Sequence, residues 1–239
     1  MATRFAGFPP EAIQFFKGLA RNNNREWFQA RKPIFEEKVK QPMREFIEAL
    51  NGALRSLAPE FVTDPDKAMY RFYRDTRFSH DKTPYKDHIA ASFRRRGSTP
   101  HHEGGYYVQL SQKDVGVGGG VYMPTPETLL KIRQHIAENH KDLRKLLKAP
   151  ALAKLSLGEL HGEKLSRVPK GFDAAHPAAD LLRYKSLFLY AELDPAVATT
   201  PQLLSEVVAH FRAVTPFVKF LTAPLQGQKV KLDPRDLLM

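Results

Sequence analysis

Tyr106-Tyr-Val-Gln-Leu-Ser-Gln-Lys-Asp-Val-Gly-Val-Gly-Gly-Gly-Val-Tyr-Met123 is the stretch on which the fold turns. Tyr106–Leu110 and Val115–Met123 have the β-branched and aromatic content of strands, and Ser111-Gln112-Lys113-Asp114 supplies a turn between them. The pair therefore predicts an antiparallel hairpin. On its second arm Val115, Val117 and Val121 point one way, and Gly116, Gly118 and Gly120 point the other. Glycines stacked on one strand face clear room for a packed helix, the commoner cause, or for a ligand or backbone at close range.

More strands flank the hairpin. His88–Arg95 alternates Ile89, Ala91 and Phe93 with Ala90, Ser92 and Arg94. Met69–Phe78 also reads as a strand, with Arg71, Tyr73, Asp75 and Arg77 on one face and Tyr70, Phe72, Arg74, Thr76 and Phe78 on the other. Neither face is purely apolar or polar, so at least one arginine must sit against core or line a cavity, beside a carboxylate or an anion. Residues 79–86 form a loop, since Pro84 disfavours helix at Thr83. Gly97–Gly105 is a second loop, and Ser186–Leu193 a fifth strand.

Helices precede and follow. Phe8-Pro9-Pro10-Glu11 opens the first, and Asn24 caps a second that starts Arg25-Glu26-Trp27-Phe28. Pro33 and Pro42 bend or restart a pattern that continues through Met43, Phe46, Ile47, Leu50 and Leu54. Thr125-Pro126-Glu127 starts another helix with Leu129, Leu130, Ile132 and Ile136 on its inner side. Further short helices follow from Glu138 to Leu157 and at Ala178–Tyr184, with a turn or extended segment over Leu165–Phe172 between them. Thr200-Pro201 caps a last helix through Phe211, broken or kinked near Pro216. The pattern predicts an α+β fold in a single domain over residues 1–239, with a mainly antiparallel sheet of about five strands. Its parts are a helical segment 8–57, a strand and loop core 69–123 and a mixed, mostly helical segment 125–225.

Composition bounds the function classes. A chain of 239 residues with 42% hydrophobic residues can bury a substantial core. No apolar run approaches the roughly 18 residues of a membrane helix, and no apolar leader with a small-residue cleavage site is visible, so a cytoplasmic protein without a membrane partner is expected. The sequence has no cysteine, which excludes disulfides, thiolate metal sites and cysteine nucleophiles. The net charge is +11, and residues 71–96 carry +5 of it: eight basic residues (Arg71, Arg74, Arg77, Lys82, Lys86, Arg94, Arg95, Arg96) against Asp75, Asp81 and Asp87. Basic clustering points to anionic ligands or nucleic acid, and a solvated basic face explains it equally well.

Several blocks together resemble one family. Tyr73-Arg74-Asp75, Arg77-Phe78-Ser79 and Asp81-Lys82-Thr83-Pro84-Tyr85-Lys86 are similar to the signature of the bacterial and fungal domain of unknown function 2461. The likeness extends to Asn23-Asn24-Arg25-Glu26-Trp27-Phe28, Gly119-Gly120-Val121-Tyr122-Met123-Pro124 and Arg167-Val168-Pro169-Lys170-Gly171-Phe172, and to His176-Pro177 followed by Leu181 to Lys185. The resemblance implies a single-domain protein and carries over no activity and no catalytic residue.

The residues themselves suggest an anion site. Arg74, Arg77, Lys82 and Lys86 lie close along the chain at a junction between strand and loop, with Arg71 and Asp81 nearby. Bidentate arginine suits carboxylate or phosphoryl oxygens, Asp75 is placed to orient a guanidinium or accept a proton, and Tyr85 and Tyr107 offer hydroxyls or a stacking surface. On this reading Arg74 and Arg77 are the main contacts to a small anionic ligand, a phosphorylated one among the candidates, and Lys82 and Lys86 support them. The same residue types also suit a structural network of arginines on Asp75 and Asp81. As a function, nucleic-acid binding is the runner-up, with basic residues interleaved among Phe72, Tyr73, Phe78, Tyr85 and Phe93, and Arg94-Arg95-Arg96 on backbone phosphates. A purely structural network is the third reading. Gly116–Val121 is no phosphate loop, because no Gly-Lys-Ser/Thr follows, and Ser79-His80-Asp81 is no triad by adjacency alone. His101-His102-Glu103 lacks a third firm metal ligand. No metal and no cofactor is expected.

Overall fold

The computed structural model describes residues 4–77, 79–95 and 104–225. Alternation builds the sheet: β1 (His88–Arg94), β2 (Gly105–Ser111), β3 (Val115–Val121), β4 (Leu160–His161) and β5 (Leu187–Leu193) lie in the order β1-β2-β3-β5-β4. Every neighbouring pair is antiparallel. The register sorts side chains into rungs across four strands. Ser92, Tyr107, Gly118 and Tyr190 share one rung, Ala90, Gln109, Gly116 and Glu192 the next, and Arg94, Gly105, Gly120 and Phe188 the rung on the other side. The rungs between them are Phe93, Tyr106, Gly119 and Leu189, and Ala91, Val108, Val117 and Ala191. One face is thus apolar, and the other carries glycine, tyrosine and polar groups.

Helices cover the apolar face. They are α1 (Pro10–Arg21), α2 (Arg25–Ile34), α3 (Gln41–Leu57), α4 (Pro65–Ala68), α5 (Pro126–Leu147), α6 (Pro150–Lys154), α7 (Ala179–Leu182) and α8 (Gln202–Thr222). The longest contact is α8 on β3. A Cβ on Gly119 would come within 2.8 Å of Val218 and 3.1 Å of Val214, so this glycine lets helix and strand approach. Phe211 packs on Phe93 and Tyr106 with ring centroids 5.5 and 4.9 Å away, and the Tyr106 hydroxyl pairs with Thr215 Oγ1 at 2.9 Å. A second aromatic cluster sits under the N-terminal helices, where Phe28 stacks on Tyr85 at 4.2 Å and Phe35 lies 4.4 Å from Phe72. No helix among the described residues is long and apolar enough to cross a membrane.

The α+β architecture with one open five-stranded antiparallel sheet is as the sequence predicts, but its parts differ in four places. Residues 69–77 are not a regular strand: they make isolated bridges, Met69 to Ala91 and Tyr73 to Tyr85. Pro84 has no N–H, so a ladder along this edge loses a donor; the bonds that remain are Tyr70 N–H to Ala90 O, Arg74 N–H to Pro84 O and Lys86 N–H to Phe72 O. Ser186–Leu193 is the strand expected, β5, and the place among the five strands foreseen for 69–78 is taken up by β4, two residues long and too short for any periodicity to announce. α8 continues through Pro216 to Thr222, because burial of Phe217, Val218 and Leu221 offsets the hydrogen bond that proline removes. α5 runs on to Leu147 with one non-helical residue, Asn139, and Leu130 points outward at 47% exposure while Ile132, Ile136 and Leu143 are buried. Pro33 is absorbed where α2 passes through a π-helical turn, Phe35–Lys40, into α3. Phe78, Arg96, most of the Gly97–Gly105 loop and His101-His102-Glu103 lie outside the described residues.

Candidate site: an open cleft over the glycine face

The uncovered face of the sheet is the floor of a cleft of about 1040 Å³. Its walls come from the 69–88 segment on the β1 side and from Tyr122 and Phe188 on the β5 side. Gly116, Gly118 and Gly120 look into this side, away from α8, so the packed helix anticipated for them covers the opposite face, with Gly119. Over Gly116 lies the end of the Tyr190 ring; a Cβ there would sit 1.8 Å from its hydroxyl. Bare backbone lets the large phenol ring lie flat across the floor.

Tyr70, Tyr107, Tyr122 and Tyr190 line the cleft together. Tyr70 and Tyr107 are neighbours at 6.1 Å between centroids, and Tyr122 meets Phe188 edge-on at 5.6 Å. Tyr107 donates its hydroxyl hydrogen to Gln109 Oε1 at 2.9 Å, and Gln109 Nε2 donates to Asp114 at 3.1 Å, which holds both side chains in place. Burial pushes the Tyr107 and Tyr190 phenols far above their usual range, and Tyr70 upward as well. They stay neutral, so they present ring faces and hydroxyls without phenolate charge, the Tyr107 hydrogen being already given to Gln109.

The cations divide into two groups. In the loop the arginines are closed on carboxylates, and Lys82 is tied to a carbonyl of the loop itself. Arg74 bonds the Asp81 carboxylate and donates to Thr83 Oγ1 at 2.7 Å. Arg77 lies 2.7 Å from Asp75, Arg71 lies 3.9 Å from the same carboxylate, and Lys82 Nζ donates to the Thr76 carbonyl at 2.9 Å. Hydrogen bonds from Arg77 hold Asp75 at a pKa of about 2, and those from Thr83 and Arg74 do the same for Asp81. The second group is Lys86 and Arg94, half-buried on the cleft wall. Neither has a carboxylate within ion-pair distance among the described residues. Lys86 Nζ stands 5.2 Å over the Tyr70 ring, and Arg94 donates to the Lys67 carbonyl at 2.6 Å. Burial lowers both from their ordinary values, with Arg71 adding to the effect on Lys86.

Of the residues singled out from sequence, Arg74, Asp75, Asp81, Tyr85, Lys86 and Tyr107 line this cleft, whereas Arg71, Arg77 and Lys82 lie outside its lining. Tyr85 is buried and serves the wall from behind. Asn23 clamps its backbone twice, Oδ1 accepting from Tyr85 N–H at 3.1 Å and Nδ2 donating to Tyr85 O at 3.0 Å. The blocks 23–28 and 81–86 therefore meet in space, through Asn23 and through Phe28 on Tyr85. Sequence reading passed over Tyr190, Phe188 and Gln109, and gave Tyr70 no role in the site. The period-2 alternation of Leu187–Leu193 does put Phe188 and Tyr190 on one face, but only the register brings them opposite Gly120 and Gly118.

Comparison with known proteins adds one finding. No curated protein and no solved structure matches the chain. A family model described as "Conserved hypothetical protein (DUF2461)" matches residues 11–220, which span the sheet, the cleft and nearly all the helices. On that match the chain belongs to the DUF2461 family of conserved hypothetical proteins.

Proposed function

We propose that the cleft binds a small ligand with an anionic group and a flat ring, a phosphate ester being the simplest case. One observation carries this reading: Lys86 and Arg94 lie half-buried beside Tyr70 with no carboxylate partner among the described residues, while the loop arginines near them are paired. A buried cation without a counter-charge is costly, and an anion arriving from solvent relieves that cost. In this assignment Lys86 and Arg94 hold the anion, and Tyr107 and Tyr190 offer ring faces and hydroxyls to the flat part. Arg74 stands at the rim. Arg71, Arg77 and Lys82 add field at longer range, and Asp75, Asp81 and Tyr85 fix the wall. The volume suits a ligand of this kind, since small-molecule clefts run to about 1,000 Å³.

Calorimetric titration with phenyl phosphate, phenol and inorganic phosphate tests the reading. Phenyl phosphate is expected to bind best, and Arg94→Ala to weaken it about tenfold or more, the worth of one charge-assisted hydrogen bond. Arg77→Ala is expected to leave the affinity within about twofold, as for an exposed ion pair. An Arg77→Ala loss equal to that of Arg94→Ala would move the anion to the loop. A second reading, single-stranded nucleic acid, draws on Tyr122, which extends the aromatic surface outward at 58% exposure, and on the charge of +11. Binding of short oligonucleotides that falls steeply with salt, with no binding of phenyl phosphate, would favour it.

A further inference from the structure

An amine is kept protonated by water or by a carboxylate. Lys86 has a reduced share of the first and, among the described residues, none of the second. Its Nζ faces the Tyr70 ring, whose hold on an ammonium is weak beside that of a carboxylate. Its main chain is fixed by the N–H bond to Phe72 O at 3.0 Å and by the Asn23 clamp on Tyr85, so the side chain enters the cleft from a rigid root. Other lysines differ. Lys40, Lys131 and Lys185 sit on Glu36, Glu127 and Glu163, and Lys113, also at the cleft, is exposed. Lys164 likewise stands over a tyrosine, Tyr184 at 4.4 Å, but it is exposed and lines no part of this cleft.

We propose that Lys86 is a carbonyl-reactive amine and that the ligand class of the cleft is an anionic aldehyde or ketone with a flat ring, captured reversibly as an imine. The inference rests on the anion-binding reading of the same cleft. The neutral amine attacks the carbonyl carbon and the carbonyl oxygen takes up a proton, giving a carbinolamine. Loss of water, which carries away the carbonyl oxygen and both amine hydrogens, then leaves the C=N bond. The direction in which burial and Arg71 move the amine favours this chemistry, because each pKa unit of lowering raises the neutral fraction about tenfold.

The test uses the full chain and pyridoxal phosphate as a probe with an aldehyde, a phosphate and a flat ring. Borohydride reduction fixes any imine as a secondary amine, and peptide mass mapping gives the labelling rate at each lysine. Lys86 is expected to be modified about tenfold faster than Lys113, and pyridoxine phosphate, which lacks the aldehyde, to slow it. Lys86→Arg should lose this label, since a guanidinium does not take up the aldehyde under these conditions, while Lys113 keeps its own labelling rate. Labelling of Lys86 at the Lys113 rate overturns the inference. If phenyl phosphate binds the same sample, the cleft reading then stands alone; if it does not, both fall.

Discussion

The two faces of the sheet are made by the same strands and have opposite characters. On β3, Val117 and Val121 are fully buried, and α8 closes that side through Val214, Phe217 and Val218. One residue away along the same strand, Gly116, Gly118 and Gly120 meet the Tyr190 hydroxyl and β5 backbone, under an open cleft. The difference shows where the chain spends side-chain volume. It fills the face that α8 closes and empties the face over which the cleft opens.

The largest way to break the comparison is on the filled face. Phe211→Ala removes a buried ring between Phe93 and Tyr106 and is expected to cost about 3–5 kcal/mol, read from urea unfolding. A loss below about 1 kcal/mol would mean that α8 does not seal this face. Glycine substitutions come next. Gly119→Ala pushes a methyl against Val218 and the Gly105 carbonyl and is expected to cost about 1–3 kcal/mol, since a helix must shift. Gly116→Ala displaces the end of Tyr190 and presses on Gln109 Cγ, both side chains rather than a helix, and should cost less, while altering phenyl phosphate binding. Equal stability losses at the two positions would erase the distinction between the faces.

The smallest effect concerns the loop beside the cleft. Asp75 and Asp81 titrate near 2 in the folded protein, below their ordinary 3.8. Their contribution is thus fully present above about pH 4 and is lost as pH falls through about 2. NMR titration of the two carboxyl groups is expected to give midpoints near 2. Asp81→Asn should raise protease cutting in residues 74–83 and leave global unfolding nearly unchanged, as befits exposed ion pairs. Midpoints near 4 would mean that the guanidinium pairs do not persist in solution.

Some features were legible from local chemistry alone. Asn24 accepts from Trp27 N–H as a cap, Thr125 does the same for Thr128, and the hairpin turns near Ser111–Asp114, because caps, turns and alternation are written within a few residues. Pro216 misled, because a proline's cost is local while the burial that offsets it comes from the sheet. The 69–77 segment misled for a related reason. Its alternation is real, but whether an edge makes a ladder depends on the partner, and the partner contains Pro84.

The sequence by itself determined the hairpin, β1, β5 and the long helices, the valine and glycine faces of β3, the basic aromatic cluster around 71–96 and the likeness to the family. Only the tertiary structure decided which cations have carboxylates. Arg74 and Arg77 find Asp81 and Asp75 a few residues away and close on them, whereas Lys86 and Arg94, held by the Asn23 clamp and by β1, both lie beside Tyr70. Charge composition is a property of the chain. Pairing is a matter of distance, and strand register sets distance.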